Sequence, residues 1–323
     1  MTHFLLRRLV AALFLLLIVL SLTFFILQLA PGDPISRFNN PRLTVEQVEH
    51  MRRAWGLDRP IHIQYLSWMK RVIFHWDWGI SFIHRRPAAS VIAQALPLTL
   101  LLGTTALVLQ YCFGLLLGAF SARRAGSPED AVVRLSSLVV YSIPNFWLAL
   151  MAILVFHIRW NIFPGSGSGS IGAETLDFLP RTLDRLHHLA LPALVLAISS
   201  AAGISRFVRN SLLDVLKQDY IQTARSTGAS QDRVLWVHAL RNTVVPLAQL
   251  VGLSLPTMLN GVLMIEVVFG WPGLGFAIFQ ACLSRDYPMI LAGTAYGAVL
   301  VICGSLLADL LHRWADPRLR VEA

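Results

Sequence analysis
Charge is scarce in this 323-residue chain: Asp, Glu, Lys and Arg together make up 14% of it, against about 25% in ordinary soluble domains. Of the 27 basic residues only Lys70 and Lys217 are lysines, and neither follows a glycine. A GxxxxGK[ST] phosphate loop is therefore excluded, and any ATP that drives the protein is hydrolysed on another subunit. The three cysteines, Cys112, Cys282 and Cys303, form no CxxC pair and no even-numbered framework, which excludes a disulfide scaffold and a thiolate zinc site. HExxH and GxSxG are also missing, and the adjacent His187 and His188 point in different directions on a helix. Neither a metal centre nor a serine-hydrolase elbow is expected. The net charge of +9 comes without zinc-finger or RNA-recognition spacing, so nucleic acid is not an expected partner.

What the chain has instead is apolar length. Hydrophobic residues form 55% of it, and counting glycine in place of tyrosine brings the share to about 60%, where soluble domains hold about 45–50%. Mean hydropathy is +0.61. Six apolar runs, at 9–29, 96–121, 135–158, 189–204, 243–269 and 287–311, approach the roughly 20 residues that cross a bilayer. The fourth is short. The first follows Arg7 and Arg8 but is longer than the roughly 7–15 apolar residues of a signal peptide, so it is read as an uncleaved span.

These runs predict an all-α polytopic protein of the cell membrane with six transmembrane helices. With the N-terminus inside, segments 1–8, 122–134, 206–242 and 312–323 hold 14 Lys and Arg in 70 residues, whereas 30–95, 159–188 and 270–286 hold 13 in 113. The positive-inside rule assigns the richer set to the cytoplasm, which places both termini inside. The expected division is a first transmembrane helix over 1–30 and an extracytoplasmic segment with short helices over 31–95. A five-helix core over 96–311, including loop 206–242, and a cytoplasmic tail over 312–323 complete it.

Two connections are too long to be turns. Residues 31–95 open on a helix stop at Pro31, Gly32, Asp33 and Pro34. Thr44, with Gln47 three residues on, is a plausible N-cap, and Trp55, Tyr65, Trp68, Trp76 and Trp78 give the segment an interfacial character. The second connection, 206–242, has polar and apolar positions at helical spacing, broken at Gly228. Within 219–227, Tyr220, Thr223, Ala224 and Thr227 share a face of mostly small side chains that another backbone can approach closely. Gly228 is expected to take the left-handed conformation that ends this helix. Ser230 is placed to cap the next one, whose apolar side is Val234, Leu235 and Ala239. On physics alone such an elbow suits a helix lying on lipid headgroups as well as a docking element.

Inside the spans, Pro144, Pro192 and Pro256, with Gly252 and Gly261, are expected to interrupt helices, which is tolerated where neighbours or water satisfy the freed carbonyls. Asn145, Asn260 and Glu266 put polar groups at or near membrane depth, where they line a path or bond helix to helix. Residues 269–275, with three glycines and a proline around Phe269 and Trp271, read as a tight loop anchored by aromatics.

The run YIQTARSTG from Tyr220 to Gly228, followed by Arg233, Val234, Leu235, His238, Ala239, Leu240, Arg241, Asn242 and Pro246, resembles the EAA-x3-G loop of ABC importer permeases, in particular the dipeptide, oligopeptide and nickel branch. Gln222 and Thr223 replace the usual Glu and first Ala, and Arg241 stands where a Pro often does, while Ala224 and Gly228 are kept. Other segments extend the resemblance nearly end to end: LAPGDP at 29–34, GLDRP at 56–60, DWGIS at 77–81, IPNFWL at 143–148, VFGWPGLG at 268–275, RDYP at 285–288 and DPR at 316–318. Together they are similar to the B-type permease, the subunit with a long outer segment after its first helix.

The resemblance implies a type I ABC importer permease fold that catalyses nothing itself. Its partners would be a homologous second permease, two ABC ATPase subunits holding the ATP and Mg, and an extracytoplasmic substrate-binding protein. It implies that Asp219, Tyr220, Thr223, Ala224, Arg225, Thr227, Gly228, Ala229 and Ser230 couple the ATPases to the helices. Asn145, Asn260 and Glu266 are the candidates for the translocation path, and no cofactor or metal is expected in this chain. A wide, weakly selective path suits di- or oligopeptides, with nickel or another small solute as the second expectation. A stand-alone secondary transporter is the alternative of a different class, but no inverted repeat is visible and the spans hold few acidic residues beyond Glu266 and Asp309.

Overall fold
The computed structural model describes residues 2–29, 46, 49 and 58–315, without the side chains of 2–5, 244–246, 248–249, 252–253, 255–260 and 311–315. The expected helix stop at 31–34, the cap at Thr44 and the DPR segment at 316–318 lie outside the described residues. In chain order the helices are α1 (Thr2–Leu29), α2 (Ile61–His75), α3 (Ala88–Arg123), α4 (Pro128–Ser142), α5 (Asn145–Ala152), α6 (Phe178–Leu216), α7 (Asp219–Ser226), α8 (Gln231–Arg233), α9 (Leu240–Val268), α10 (Leu274–Ser284) and α11 (Tyr287–Ala315). Two π-helical stretches, Ile153–Arg159 and Val234–Ala239, continue α5 and α8. Among the described residues no strand forms beyond one isolated bridge between Ile80 and Pro87.

Four helices are long and apolar enough to cross a membrane, at Leu6–Leu29, Ala88–Arg123, Phe178–Val215 and Tyr287–Leu310. The pair Pro128–Ser142 and Asn145–Arg159, bent by 102°, makes a fifth if counted as one span. The remaining apolar run coincides with the 29-residue α9. The bend has a local cause. Pro144 cannot donate a helical hydrogen bond and pushes Ile143 out of the helical region, so Ile143 (ψ 129°) and Pro144 (ψ 136°) are extended.

Two expectations need correcting. The fourth span is not short: α6 runs for 39 residues, because polar stretches on both sides of 189–204 continue the helix. Pro192 does not interrupt it, and α9 runs through Gly252, Pro256 and Gly261. A mid-helix proline costs about 3 kcal/mol, but Pro192 is buried in a stretch of α6 whose Leu189, Leu191, Ala193, Val195 and Leu196 pack in one core cluster with residues of α3, α5 and α9, and burial of that stretch offsets one lost amide bond.

The chain divides into two compact units, Met1–Pro97 with Gly273–Ile302, and Leu98–Pro272 with Cys303–Ala323. In the first, α1 and α2 meet through Phe24 stacked on Trp68 at 5.4 Å, Phe25 stacked on Tyr65 at 5.2 Å, and a Ser21–Tyr65 hydroxyl pair at 2.7 Å. The same unit joins two segments far apart in sequence. Ser81 Oγ donates to the enclosed Asp286 carboxylate at 2.5 Å, and the backbone amides of Ile83 and Met289 donate to it at 3.2 Å each. Asp286 thereby caps the start of α11 and holds the 81–83 turn together.

In the second unit, α3 and α6 approach through a small-residue seam. A Cβ on Gly118 would lie 2.6 Å from the Ser205 carbonyl oxygen, and one on Gly114 would lie 2.5 Å from Ile204 Cγ2. Gly114-x-x-x-Gly118 is the spacing that lets membrane helices pack backbone to backbone. The carbonyl cannot move aside without unwinding α6, so Gly118→Leu is expected to destabilise the purified protein by about 1–3 kcal/mol. Thermal unfolding in detergent measures it, and an unchanged midpoint would refute the close approach.

Candidate functional site
The elbow at 219–239 is built from local chemistry. Helix α7 ends where Gly228 takes φ +87°. The Ala229 amide then reaches back to the Ala224 carbonyl at 3.1 Å, and the Gly228 amide reaches the Arg225 carbonyl at 3.0 Å. The first of these is the six-residue closure of a Schellman motif. Ser230 Oγ accepts from the Arg233 amide at 3.3 Å and so caps α8. Val234, Leu235 and Ala239 are buried, as their spacing predicts, although 234–239 is π-helical rather than α-helical.

One side chain anchors the elbow. Ile221 is 0% exposed and belongs to a cluster with Val208 and Leu212 of α6, Val234, Leu235, and Ala119 and Ala122 at the end of α3. With Ile221 turned inward, the opposite face is free: Asp219, Tyr220, Thr223, Arg225, Thr227, Gly228 and Ser230 are exposed, and Ala224 and Ala229 are half-buried. The hydroxyls on this face turn back onto their own helix, Thr223 to the Asp219 carbonyl at 3.2 Å and Thr227 to the Ala224 carbonyl at 3.0 Å. Asn242 donates to the Tyr220 hydroxyl, tying the elbow to the start of α9. The presented surface combines small residues at 223, 224, 227 and 228 with the exposed charges of Asp219 and Arg225.

A second feature beside the elbow is absent from the sequence reading. Asp130, in the first turn of α4, is 0% exposed and accepts from Arg209 of α6 through Nε and Nη2 at 2.7 Å each. It also accepts from Ser121 of α3 and, at 3.0 Å, from the Gly126 amide. A bidentate guanidinium pair of this kind is short and directional. One carboxylate thus clasps three helices, and Arg123, two residues after Ser121, pairs with Asp232 of α8 at 3.0 Å. No local pattern announces a pair 79 residues apart; the available signal was an acidic residue in a turn otherwise rich in arginine.

The polar residues expected at membrane depth separate. Asn145 lines a cleft of about 580 Å³ in the second unit, together with Gln110, Ser200, Ser254, Gly261 and Met264. Glu266 lies elsewhere: it is 0% exposed and accepts from the Thr99 hydroxyl at 2.6 Å, which bonds α9 to α3. The side chain of Asn260 is outside the described residues. The 269–275 loop is pinned as its aromatics suggest. Phe269 and Trp271 are buried, the Trp271 indole donates to the Leu98 carbonyl at 3.1 Å, and the Phe269 carbonyl accepts from the Gly167 amide at 2.9 Å. His187 and His188 contact backbone carbonyls, of Ile162 at 2.7 Å and Asp184 at 2.9 Å.

Residues 114–321 match the family described as binding-protein-dependent transport system inner membrane component, and residues 1–103 match the N-terminal region of such membrane components. The oligopeptide transport system permease protein AppB of Bacillus subtilis is 38% identical over 320 residues, covering 99% of both chains. The dipeptide transport system permease protein DppB of Lactococcus lactis is 34% identical over 322 residues, covering 99% of this chain and 100% of its own. Among solved structures, an inward-facing MetNI methionine ABC transporter matches with a TM-score of 0.54 at 18% identity, over 70% of this chain and 96% of its own, a likeness of fold. With the family matched across both parts of the sequence and the relatives aligned end to end, this chain belongs to the multi-pass inner membrane components of binding-protein-dependent transport systems.

Proposed function
We propose that the chain is the permease subunit of an ATP-driven ABC importer of di- or oligopeptides. The observation that carries this reading is similarity along the whole length to permeases named for oligopeptide and dipeptide transport. In this assembly a homologous second permease completes the path, two ABC ATPases dock on the cytoplasmic side, and a binding protein delivers the peptide.

The elbow is the docking element. Its free face, Asp219 to Ser230, suits a groove on an ATPase: the small Thr223, Ala224, Thr227 and Gly228 allow close approach, the two threonine hydroxyls being bonded to their own helix, and the exposed Asp219 and Arg225 offer charges for the groove to match. Ile221 and its cluster make the elbow and the inner end of α6 move as one body, and the Asp130–Arg209 clasp extends that body to α3 and α4. Closure of the ATPases would then tilt helices rather than deform a loop, shifting the population between inward and outward openings. Of the expected path residues, Asn145 keeps that role in this reading, while Glu266 holds α9 to α3.

The test is reconstitution of the chain with its partners in liposomes containing ATP. Radiolabelled trialanine delivered by the binding protein is expected to accumulate at least about tenfold over ATP-free vesicles, a difference of about 1.4 kcal/mol or more. Uptake by this chain alone without any ATPase, or uptake of nickel but no peptide, would overturn the proposal.

A further inference from the structure
We infer that the cleft of the 98–272 unit binds the main chain of a passing peptide, with the start of α5 receiving its carbonyl oxygens or terminal carboxylate; this rests on the peptide reading above. The break at Pro144 makes α5 begin in the cleft wall, with Asn145 and Phe146 as its first two residues. The first bond of its first turn runs from the Leu148 amide to the Pro144 carbonyl, at 3.0 Å. The amides of Asn145, Phe146 and Trp147 therefore have no intrahelical acceptor, and no side chain caps them. The aligned peptide dipoles add positive partial charge at the same point.

A second observation is independent of the helix. Gln110 of α3 is 5% exposed, lines this cleft and has no hydrogen-bond partner among the described residues. A carboxamide without a protein partner on the cleft wall leaves both its N–H donor and its C=O acceptor for a ligand with matching groups. Asn145 and Ser200, on the same cleft, also lack partners among the described residues. Gly261 keeps the space open, since a Cβ there would stand 3.4 Å from Leu196 and 3.8 Å from the Asn145 amide nitrogen.

The lining also says what the cleft does not hold. No charged side chain, imidazole or thiol lines it, so a transition-metal ion finds none of its usual imidazole, thiolate or carboxylate ligands and no formal charge selects among side chains. Two carboxamides, each a donor and an acceptor, match the alternating N–H and C=O of a peptide whatever its sequence. Contacts of this neutral kind hold cargo without trapping it, as a path requires. The volume of about 580 Å³ falls within the roughly 300–1,000 Å³ of small-ligand sites.

The experiment uses the full assembly with photoreactive p-benzoylphenylalanine in place of Met264, on the cleft wall, or of Val139, exposed elsewhere on α4. Illumination during uptake of radiolabelled trialanine is expected to label position 264 and not 139. The label per peptide transported should fall at least fivefold in the near-isosteric pair Gln110→Met with Asn145→Leu, in protein that still purifies as the intact assembly. Gly261→Ala, which narrows the cleft beside Asn145 while keeping both carboxamides, should lower it too. Trialanine amide separates the two ligand groups: undiminished labelling assigns the α5 start to carbonyl oxygens, and lost labelling assigns it to the terminal carboxylate. Labelling that is unchanged in these variants, or as strong at 139, overturns the inference while leaving peptide transport standing. Absence of any peptide uptake by the unsubstituted assembly removes the peptide reading and this inference with it.

Discussion
Replacing Gly228 with proline is expected to lower ATP-dependent peptide uptake at least about tenfold, which corresponds to roughly 1.4 kcal/mol or more of lost coupling, while the protein still inserts in the membrane. Proline fixes φ near about −65°, whereas the turn needs +87°. It also removes the amide that bonds the Arg225 carbonyl, and with that turn lost the Ala229–Ala224 closure goes as well. The elbow would then present α7 to an ATPase at a different angle. Gly228→Ala is the informative companion. No atom lies within 4 Å of where its Cβ would sit, so packing is untouched and only the left-handed backbone is penalised, by about 1–2 kcal/mol. Uptake by the alanine variant should lie between the other two. Measured in liposomes with equal amounts of assembly, normal transport by the proline variant would rule out a coupling role for this turn.

Arg209→Met is expected to destabilise the protein by about 3–5 kcal/mol, because it leaves the carboxylate of Asp130 enclosed without its bidentate partner. Ser121, the Gly126 amide and the more exposed Arg134 remain around Asp130, but only Arg134 brings positive charge, at 3.6 Å. Combining it with Asp130→Leu should restore much of the loss, since an apolar pair of similar volume leaves no buried charge behind. The Arg123–Asp232 pair provides the contrast: its side chains are 50% and 58% exposed, so Arg123→Met should change stability by about 1 kcal/mol or less. Unfolding midpoints of the four proteins in one detergent decide it. A small effect of Arg209→Met, comparable to that of Arg123→Met, would mean that water reaches Asp130 and that the clasp contributes little.

How much of this was readable without coordinates depended on the range of the physics involved. Gly228 as a left-handed stop, Ser230 as a cap, and the buried trio Val234, Leu235 and Ala239 follow from interactions within a few residues, and each is seen. Pro144 breaks its span through the steric clash it imposes on the preceding residue, also local. Pro192 misleads because its effect is decided by neighbours the sequence does not specify; dense burial carries α6 straight through it. Glu266 was legible as a costly polar group but not as Thr99's partner, 167 residues away. Asp130 and Arg209 went unremarked for the same reason. Gly114 and Gly118 are a different kind of miss, since their four-residue spacing was visible and its meaning is general to membrane helices.

The bond between Ser81 and Asp286 sets a timetable for the making of this protein. The two residues are 205 positions apart, and at about 5–20 residues per second a ribosome needs roughly 10–40 s to travel from one to the other. Throughout that interval Trp68, Trp78 and Ile92 lack the partners that α10 and α11 later bring, Met289, Ile290 and Ala292 among them. Closing so long a loop is slow by its own entropy as well. Trp68, Trp78 and Ile92 therefore wait with apolar surface uncovered, dependent on the insertion machinery or on lipid to shield it. A chain truncated anywhere before Asp286 would leave that surface permanently open, and should be cleared by membrane proteases faster than one truncated after α11 is complete.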